Sequence, residues 1–317
     1  MKKIRCVTAL LIVLSCVLPV FFSGCGQKEN GEETNNIQQE DSDRKQQVSF
    51  LFFSDTQADP ETGDYSCVGE LMAQAKEQAA DSGLVIFGGD TVNDGRDAEE
   101  WRIFREAAKP LVGLVMLAVP GNHDNQTLLA DQFDGIPEAP AGQGQGYFYV
   151  YNEGPVYFLM LDSNIMGAAN QRDIDWLRDK LESQAARKAI WRVAVMHHPM
   201  WTVADNPKDE ARADTMRQSF LPLMEEYGVD LILCGHQHIY ARSLPMKGAA
   251  TSHDGRGIVQ IMTASGGKGS YAAGIREYIT VSSDAPNYLY ITADEESLII
   301  TAYDGEGKPF DSCPITR

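Results

Sequence analysis

The sequence predicts an α/β protein built on two packed mixed β-sheets with helices on their outer faces. Three observations lead there. Between residues 48 and 245, short apolar runs rich in β-branched and aromatic residues alternate with helical patterns, which implies a core with largely parallel strand pairing. After residue 245, strand-like runs recur without helices between them, which adds a second sheet packed on the first. The chain, at 317 residues, is long enough to bury a full core with no disulfide framework.

The opening reads as an address. Lys2, Lys3 and Arg5 precede an apolar run over 7–22 that contains Pro19. That run is shorter than the roughly 20 apolar residues of a membrane-spanning helix, so it reads as a secretory signal. It ends in Phe22-Ser23-Gly24-Cys25, which resembles a bacterial lipobox, with Phe22 where Leu is usual. The resemblance implies cleavage of the signal over 1–24, lipid on Cys25, and a protein exported and lipid-anchored to the outer side of the bacterial cell membrane. Residues 25–47 hold one large apolar residue, Ile37, among Gln, Asn, Glu, Asp and Lys. Such a stretch cannot bury enough surface to fold and reads as a disordered polar tether. The folded domain is expected over 48–317.

Strands are expected at 48–53, 84–87, 114–119, 190–196 and 229–234, each apolar and each ending in polar or Gly residues. A hairpin over 146–162 turns at Gly154-Pro155, and later strands are expected at 258–264, 288–293 and 298–303. Helices are expected at 67–80, after a capping-box-like start at Asp97-Ala98-Glu99-Glu100, at 170–184 and at 214–227.

The net charge is −18, with 45 Asp+Glu against 27 Lys+Arg. The signal carries three cations and no acid, so its loss takes −18 down by three to −21. That balance, without a basic stripe, argues against nucleic acid as a partner. It does not exclude a small anionic substrate, because a local cluster of positive charge outweighs a distant negative surface. Of six Cys, Cys6 and Cys16 leave with the signal, and Cys25 is the lipidation candidate. Cys67, Cys234 and Cys313 remain in no zinc-finger spacing, and any pairing among them is open.

The chemistry lies at five strand ends: Asp55-x-Gln57, Gly89-Asp90, Gly121-Asn122-His123-Asp124, His197-His198 and Gly235-His236-Gln237-His238. Ligands of open α/β sheets bind outside the carboxyl ends of the strands, so these segments should converge. Five of the six His fall in them, and His253 alone sits elsewhere, in a Gly-rich surface loop. Imidazole, carboxylate and amide oxygens suit divalent ions such as Mn, Fe, Zn or Co.

These segments, in this order, resemble the calcineurin-like metallophosphoesterases across about residues 48–245. The alternation around 147–162 and Asp175-Trp176-Leu177 look like the purple-acid-phosphatase branch. The resemblance implies a four-layer α/β/β/α sandwich holding two divalent or trivalent metal ions (Mn, Fe or Zn). Asp90 would bridge them, with Asp55, Gln57 and His238 on one and Asn122, His197 and His236 on the other. It implies hydrolysis of a small phosphomonoester or phosphodiester by metal-activated water. His123 would donate a proton to the leaving oxygen, with Asp124 orienting it.

Two residues depart from the pattern. Gln57 stands where the family has His, a harder ligand that should favour Mn or Fe over Zn. Asn93 stands where purple enzymes carry a metal-binding Tyr, so the iron contact that colours them should be absent. His198 and Asn93 are candidates for supporting a ligand or touching substrate. Residues 265–270, Ser-Gly-Gly-Lys-Gly-Ser, lack the spacing and following helix of a phosphate loop and read as a flexible loop able to overhang the site. Trp201 is open between stacking on a substrate and packing beneath its loop. The competing function is a surface binding protein that keeps the fold and not the turnover. Residues 59–66, 125–146 and 199–212 are the expected specificity loops, and they carry no readable substrate code.

Overall fold

A computed structural model describes residues 47–59, 61–137 and 147–317. The signal, Cys25, nearly all of the tether and Gly146 lie outside the described residues. Fifteen strands follow in chain order among those described: β1 (Val48–Phe53), β2 (Leu84–Phe87), β3 (Val115–Ala118), β4 (Tyr149–Glu153), β5 (Val156–Leu161), β6 (Trp191–Met196), β7 (Leu231–Cys234), β8 (Tyr240–Ser243), β9 (Met246–Lys247), β10 (Ala250–Thr251), β11 (Val259–Met262), β12 (Ile279–Ser283), β13 (Asn287–Ala293), β14 (Ser297–Asp304) and β15 (Pro309–Thr316).

They form two mixed sheets and a small ribbon of β9 and β10. The first sheet runs β15-β14-β13-β1-β2-β3, and the second runs β12-β8-β11-β7-β6-β5-β4. Strands β1, β2 and β3 are parallel, as are β5, β6, β7 and β11. Their carboxyl ends carry the five polar segments.

Alternation within the strands sets the layers. In β1, Phe50 and Phe52 enter the core between the sheets, while Leu51 and Phe53 face the helices outside. In β6, Val193 and Val195 point inward and Ala194 and Met196 outward. A strand with period two buries both faces when a sheet lies on one side and helices on the other. Outside the first sheet pack α1 (Ser66–Gln78), through Val68, Leu71, Met72 and Ala75, and α2 (Ala98–Ala107), through Trp101 and Phe104. Outside the second pack Leu177 and Leu181 of the helix Gln171–Glu182, and Met216 of the helix Pro207–Ser219. This is the expected four-layer sandwich.

Several expectations are corrected. The late strands do not form the second sheet on their own. β13 pairs antiparallel with the free edge of β1, Phe50 opposite Ile291, and carries β14 and β15 into the first sheet. β11 instead joins β7. Strand β15 escaped notice because Pro309 and Pro314 break its pattern, yet it pairs only with β14, and an edge strand tolerates proline. The helix expected at 214–227 starts at Pro207, where Asn206 Oδ1 accepts from the Lys208 N–H at 3.0 Å. It then breaks at Phe220, because Pro222 has no N–H to continue the ladder. Asp97 does cap α2, accepting from the Glu99 N–H at 2.8 Å. The reciprocal half of the box does not form: the Glu100 carboxylate accepts instead from the Asn93 and Asp94 N–H groups, at 2.7 and 3.0 Å. No helix among the described residues is long and apolar enough to cross a membrane.

Phe50 and Phe158 meet edge to face at 5.0 Å in the seam between the sheets. Phe50→Ala should cost about 3–5 kcal/mol, read as a lower urea midpoint at unchanged slope.

Candidate metal centre

The five segments meet where the carboxyl ends of the two sheets approach each other. Asp55 and Asp90 come from the first sheet and His197, His236 and His238 from the second. The His236 N–H donates to both Asp55 oxygens, at 3.0 and 2.9 Å, across 181 residues of sequence. Ser54 Oγ donates to Asp55 Oδ2 at 2.8 Å. His197 Nε2 lies 3.3 Å from Asp90 Oδ2, and His238 Nε2 lies 3.4 Å from Asp55 Oδ1.

Close approach needs small residues and a strained backbone. A Cβ on Gly121 would fall on the Asp90 carboxylate, and one on Gly235 would fall on Ser54 Oγ and Asp55 Oδ2. Of five described non-glycine residues with positive φ, four are Asp55 (51°), Asp90 (51°), His236 (75°) and His238 (49°). Left-handed backbone at non-glycine residues persists only where the surroundings impose it, and here it concentrates at the site.

The histidines share one arrangement. His197 Nδ1 donates to Gly88 O at 3.0 Å, His238 Nδ1 to Gly269 O at 3.1 Å, and His236 Nε2 to Asp209 Oδ1 at 3.0 Å. The acceptors are a carboxylate and two carbonyls, so the facing nitrogens carry the protons. His236 and His238, whose charged forms burial disfavours, therefore offer their other nitrogen as a lone pair, the orientation typical of metal-ligating His, and His197 does the same once a cation displaces its Nε2 proton. Asp209, which also accepts from Gln237 Nε2 at 2.9 Å, was missed in the sequence because nothing marks an acidic residue early in a helix as a histidine partner.

Two buried ligand atoms among the described residues at this point make no hydrogen bond: His197 Nε2, which has only the Asp90 carboxylate at 3.3 Å, and Gln57 Oε1. Gln57 Nε2 is spent on Val92 O at 3.1 Å. Ligand atoms of Asp55, Asp90 and His197 lie within 4.8 Å of one another, all three residues buried. Buried polar atoms are rarely orphaned, and this donor set fits a divalent cation. Asn122 is exposed, and its amide makes no hydrogen bond among the described residues.

The electrostatics point the same way. Burial pushes the Asp55 carboxyl up to about 7, opposed by His197. Burial and the Asp90 charge push Asp124 up to about 7. Burial also acts to raise Asp90, but His197 and the His123 N–H outweigh it and hold Asp90 below the carboxylate range. Burial alone would lower His197; the Asp90 and Asp55 carboxylates lift it to about 9. Burial drives His238 down to about 4 and His198 well below its ordinary value. Two buried carboxylates thus share one imidazolium, a charge balance that a cation would complete.

Around His123 the expected contacts change. Its Nδ1 donates to Asn93 O at 2.7 Å, and its Nε2 lies 3.1 Å from Lys268 Nζ. Asp124 does not hold the ring. Its carboxylate accepts from the Gly121 and Thr91 N–H groups, at 2.9 and 3.0 Å, and so stitches the two loops together. The Asn93 side chain donates to Ala58 O at 3.2 Å, leaving its carbonyl as the His123 anchor. His198 Nδ1 meets Ser163 Oγ at 2.9 Å. Trp201 is buried, its indole donating to Gly248 O at 3.1 Å, and packs beneath its loop. His253 is exposed.

The model of the calcineurin-like phosphoesterase family matches residues 48–240. The chain belongs to that family. Among curated members it is 28% identical over 160 residues to a glycerophosphodiester phosphodiesterase of Enterobacter lignolyticus, covering 49% of this chain and 55% of that one. It is 25% identical over 151 residues to purple acid phosphatase 23 of Arabidopsis thaliana, covering 45% and 32%. The chain spans between 27% and 63% of the length of such relatives. Among solved structures, a purple acid phosphatase from yellow lupin superposes with a TM-score of 0.71 at 17% identity, over 86% of this chain and 54% of that one. As a member of the phosphoesterase family the chain carries a metal site typical of it, with the Asp55, Asp90 and His197 cluster at its centre.

Because His197 is raised to about 9 from an ordinary 6.5, its contribution to stability is present below about 6.5 and is lost as pH climbs through 9. The metal-free protein should therefore melt at a lower temperature at pH 9 than at pH 7. That difference should shrink in His197→Gln, as followed by thermal unfolding in chelator.

Proposed function

We propose that the protein hydrolyses a phosphomonoester or phosphodiester at a two-metal centre. The observation that carries this is the convergence of Asp55, Asp90 and His197 with two buried ligand atoms that make no hydrogen bond, Gln57 Oε1 and His197 Nε2. Asp55, Gln57 and His238 would hold one ion, Asn122, His197 and His236 the other, with Asp90 shared. The Gln57 oxygen makes the first position the harder one, better suited to Mn or Fe than to Zn. When bound, the ions supply an activated water and neutralise charge on the phosphoryl oxygens.

The chain's own residues handle the leaving group. His123 keeps its Nδ1 proton on Asn93 O, so Nε2, which without substrate accepts from the Lys268 ammonium at 3.1 Å, is the atom that first takes up a proton and then delivers it to the leaving oxygen as its bond to phosphorus breaks. Asp124 holds the loop that presents this ring by accepting from Gly121 and Thr91. His198, kept uncharged by burial and bonded to Ser163, supports the wall behind His197 and His236.

We further propose the layout read from the sequence: a signal over 1–24, lipid on Cys25, a tether over 25–47 and the catalytic domain over 48–317. The support is the cationic start, the short apolar run and the Ser23-Gly24-Cys25 end. The protein would then act on the outer side of the cell membrane. In cell fractionation, Cys25→Ser should move it from the membrane to the soluble fraction.

Chromogenic phosphate mono- and diesters with added Mn test the activity. Asp90→Ala should lower kcat/KM by about 10³-fold, the equivalent of several kcal/mol of metal-derived stabilisation. His123→Ala should lower it by about 10²–10⁴-fold. No turnover with any metal, or full turnover in Asp90→Ala, would replace the hydrolase with a binding protein of the same fold.

A further inference from the structure

The loop after β11 is no idle overhang. Ser265 N–H donates to Ser54 O at 2.8 Å and Gly267 N–H donates to Gln57 O at 3.1 Å, which fastens the loop to the first metal-binding segment. At its far end, Gly269 O receives the His238 Nδ1 proton at 3.1 Å. A Cβ on Gly266 would collide with the Asp55 and Gln57 carbonyls, so the loop sits directly on that backbone. Between these anchors Lys268 extends its ammonium to 3.1 Å from His123 Nε2.

That ammonium is unusual in its company. Among the described residues it forms no salt bridge, in a protein with a surplus of carboxylates, and its one hydrogen-bond partner is an imidazole nitrogen. An ammonium has three donors and no acceptor. One is used on His123, and the others are unspent. A half-buried cation placed at the atom that serves the leaving group, with no anion of its own, is positioned to receive one.

We infer that Lys268 binds a non-bridging oxygen of the substrate phosphoryl group, alongside His123. This rests on the hydrolase reading above and adds to it a substrate-contacting residue beside His123. It also bears on substrate class. A phosphomonoester dianion carries one more charge than a phosphodiester, so the extra cation favours the monoester.

The test compares the wild type with Lys268→Met and Lys268→Arg, all loaded with Mn. The readouts are p-nitrophenyl phosphate and bis(p-nitrophenyl) phosphate hydrolysis, and the Kd of inorganic phosphate by calorimetry. Loss of one charge-assisted hydrogen bond should raise the phosphate Kd and the monoester KM of Lys268→Met by about ten- to a hundredfold. The diester KM should rise less, and Lys268→Arg should recover most of the loss. Melting temperature should hold, since Lys268 is not part of the core. If the wild type turns over but Lys268→Met keeps phosphate Kd and monoester KM within about twofold, the Lys268 role is wrong and the hydrolase reading stands. A lower kcat with unchanged phosphate Kd overturns it equally. If the wild type neither turns over nor binds phosphate, the hydrolase reading itself fails.

Discussion

One backbone group holds the centre together. The His236 N–H donates to both oxygens of Asp55, and in doing so clasps the end of β7 to the end of β1, one from each sheet. The other cross-sheet contacts follow the same seam: His197 reaches from the second sheet to Gly88 O and Asp90 on the first. The left-handed conformations of Asp55, Asp90, His236 and His238 are the local strain of bringing the two sheet ends this close. Glycine at 121 and 235 is required for the same reason, because no other side chain leaves room for the facing carboxylates. The site is thus a property of the interface between sheets rather than of any one strand.

Much of this was legible in the chain. Short apolar runs ending in Gly, Asp or His announced both the strands and the end of the sheet where chemistry gathers, because a parallel strand places its following loop at one edge. Asp55, Asp90, His197, His236 and His238 were legible as a group since scarce residues recurred at equivalent positions. The part that stayed hidden depends on tertiary contact. Nothing around Asp209 foretells that its helix lies against His236, and nothing in Ser265–Ser270 foretells that Lys268 meets His123. Likewise the Nδ1 partner of His123 is the main-chain oxygen of Asn93, and main-chain atoms leave no mark on side-chain identity. Asp124, adjacent to His123 in sequence, was an easy candidate for its partner, yet adjacent residues rarely face each other and the carboxylate turns to the Thr91 loop instead.

Sheet membership was the other blind spot. Strand runs reveal that a segment is extended and which faces are buried, but not which edge it joins. The antiparallel match of β13 to β1, Leu51 opposite Tyr290 and Phe52 opposite Leu289, is set by the fit of whole layers. Proline in β15 misled for a definable reason, since its meaning differs between an edge and an interior strand.

The pairing of β1 with β13 also governs how the molecule assembles. The first strand of the domain has one neighbour nearby in sequence, β2, and another about 240 residues later. Closing so long a loop precedes any reward from the contact, and topologies of this kind fold slowly. Until β13 emerges, β1 presents an open edge of six apolar-rich residues, the kind of surface on which chains aggregate. Because Asp55 hangs from the end of β1, the centre cannot reach its final geometry before β13 has been made. Cation capture is therefore a late event, one that rewards a completed fold and cannot nucleate it.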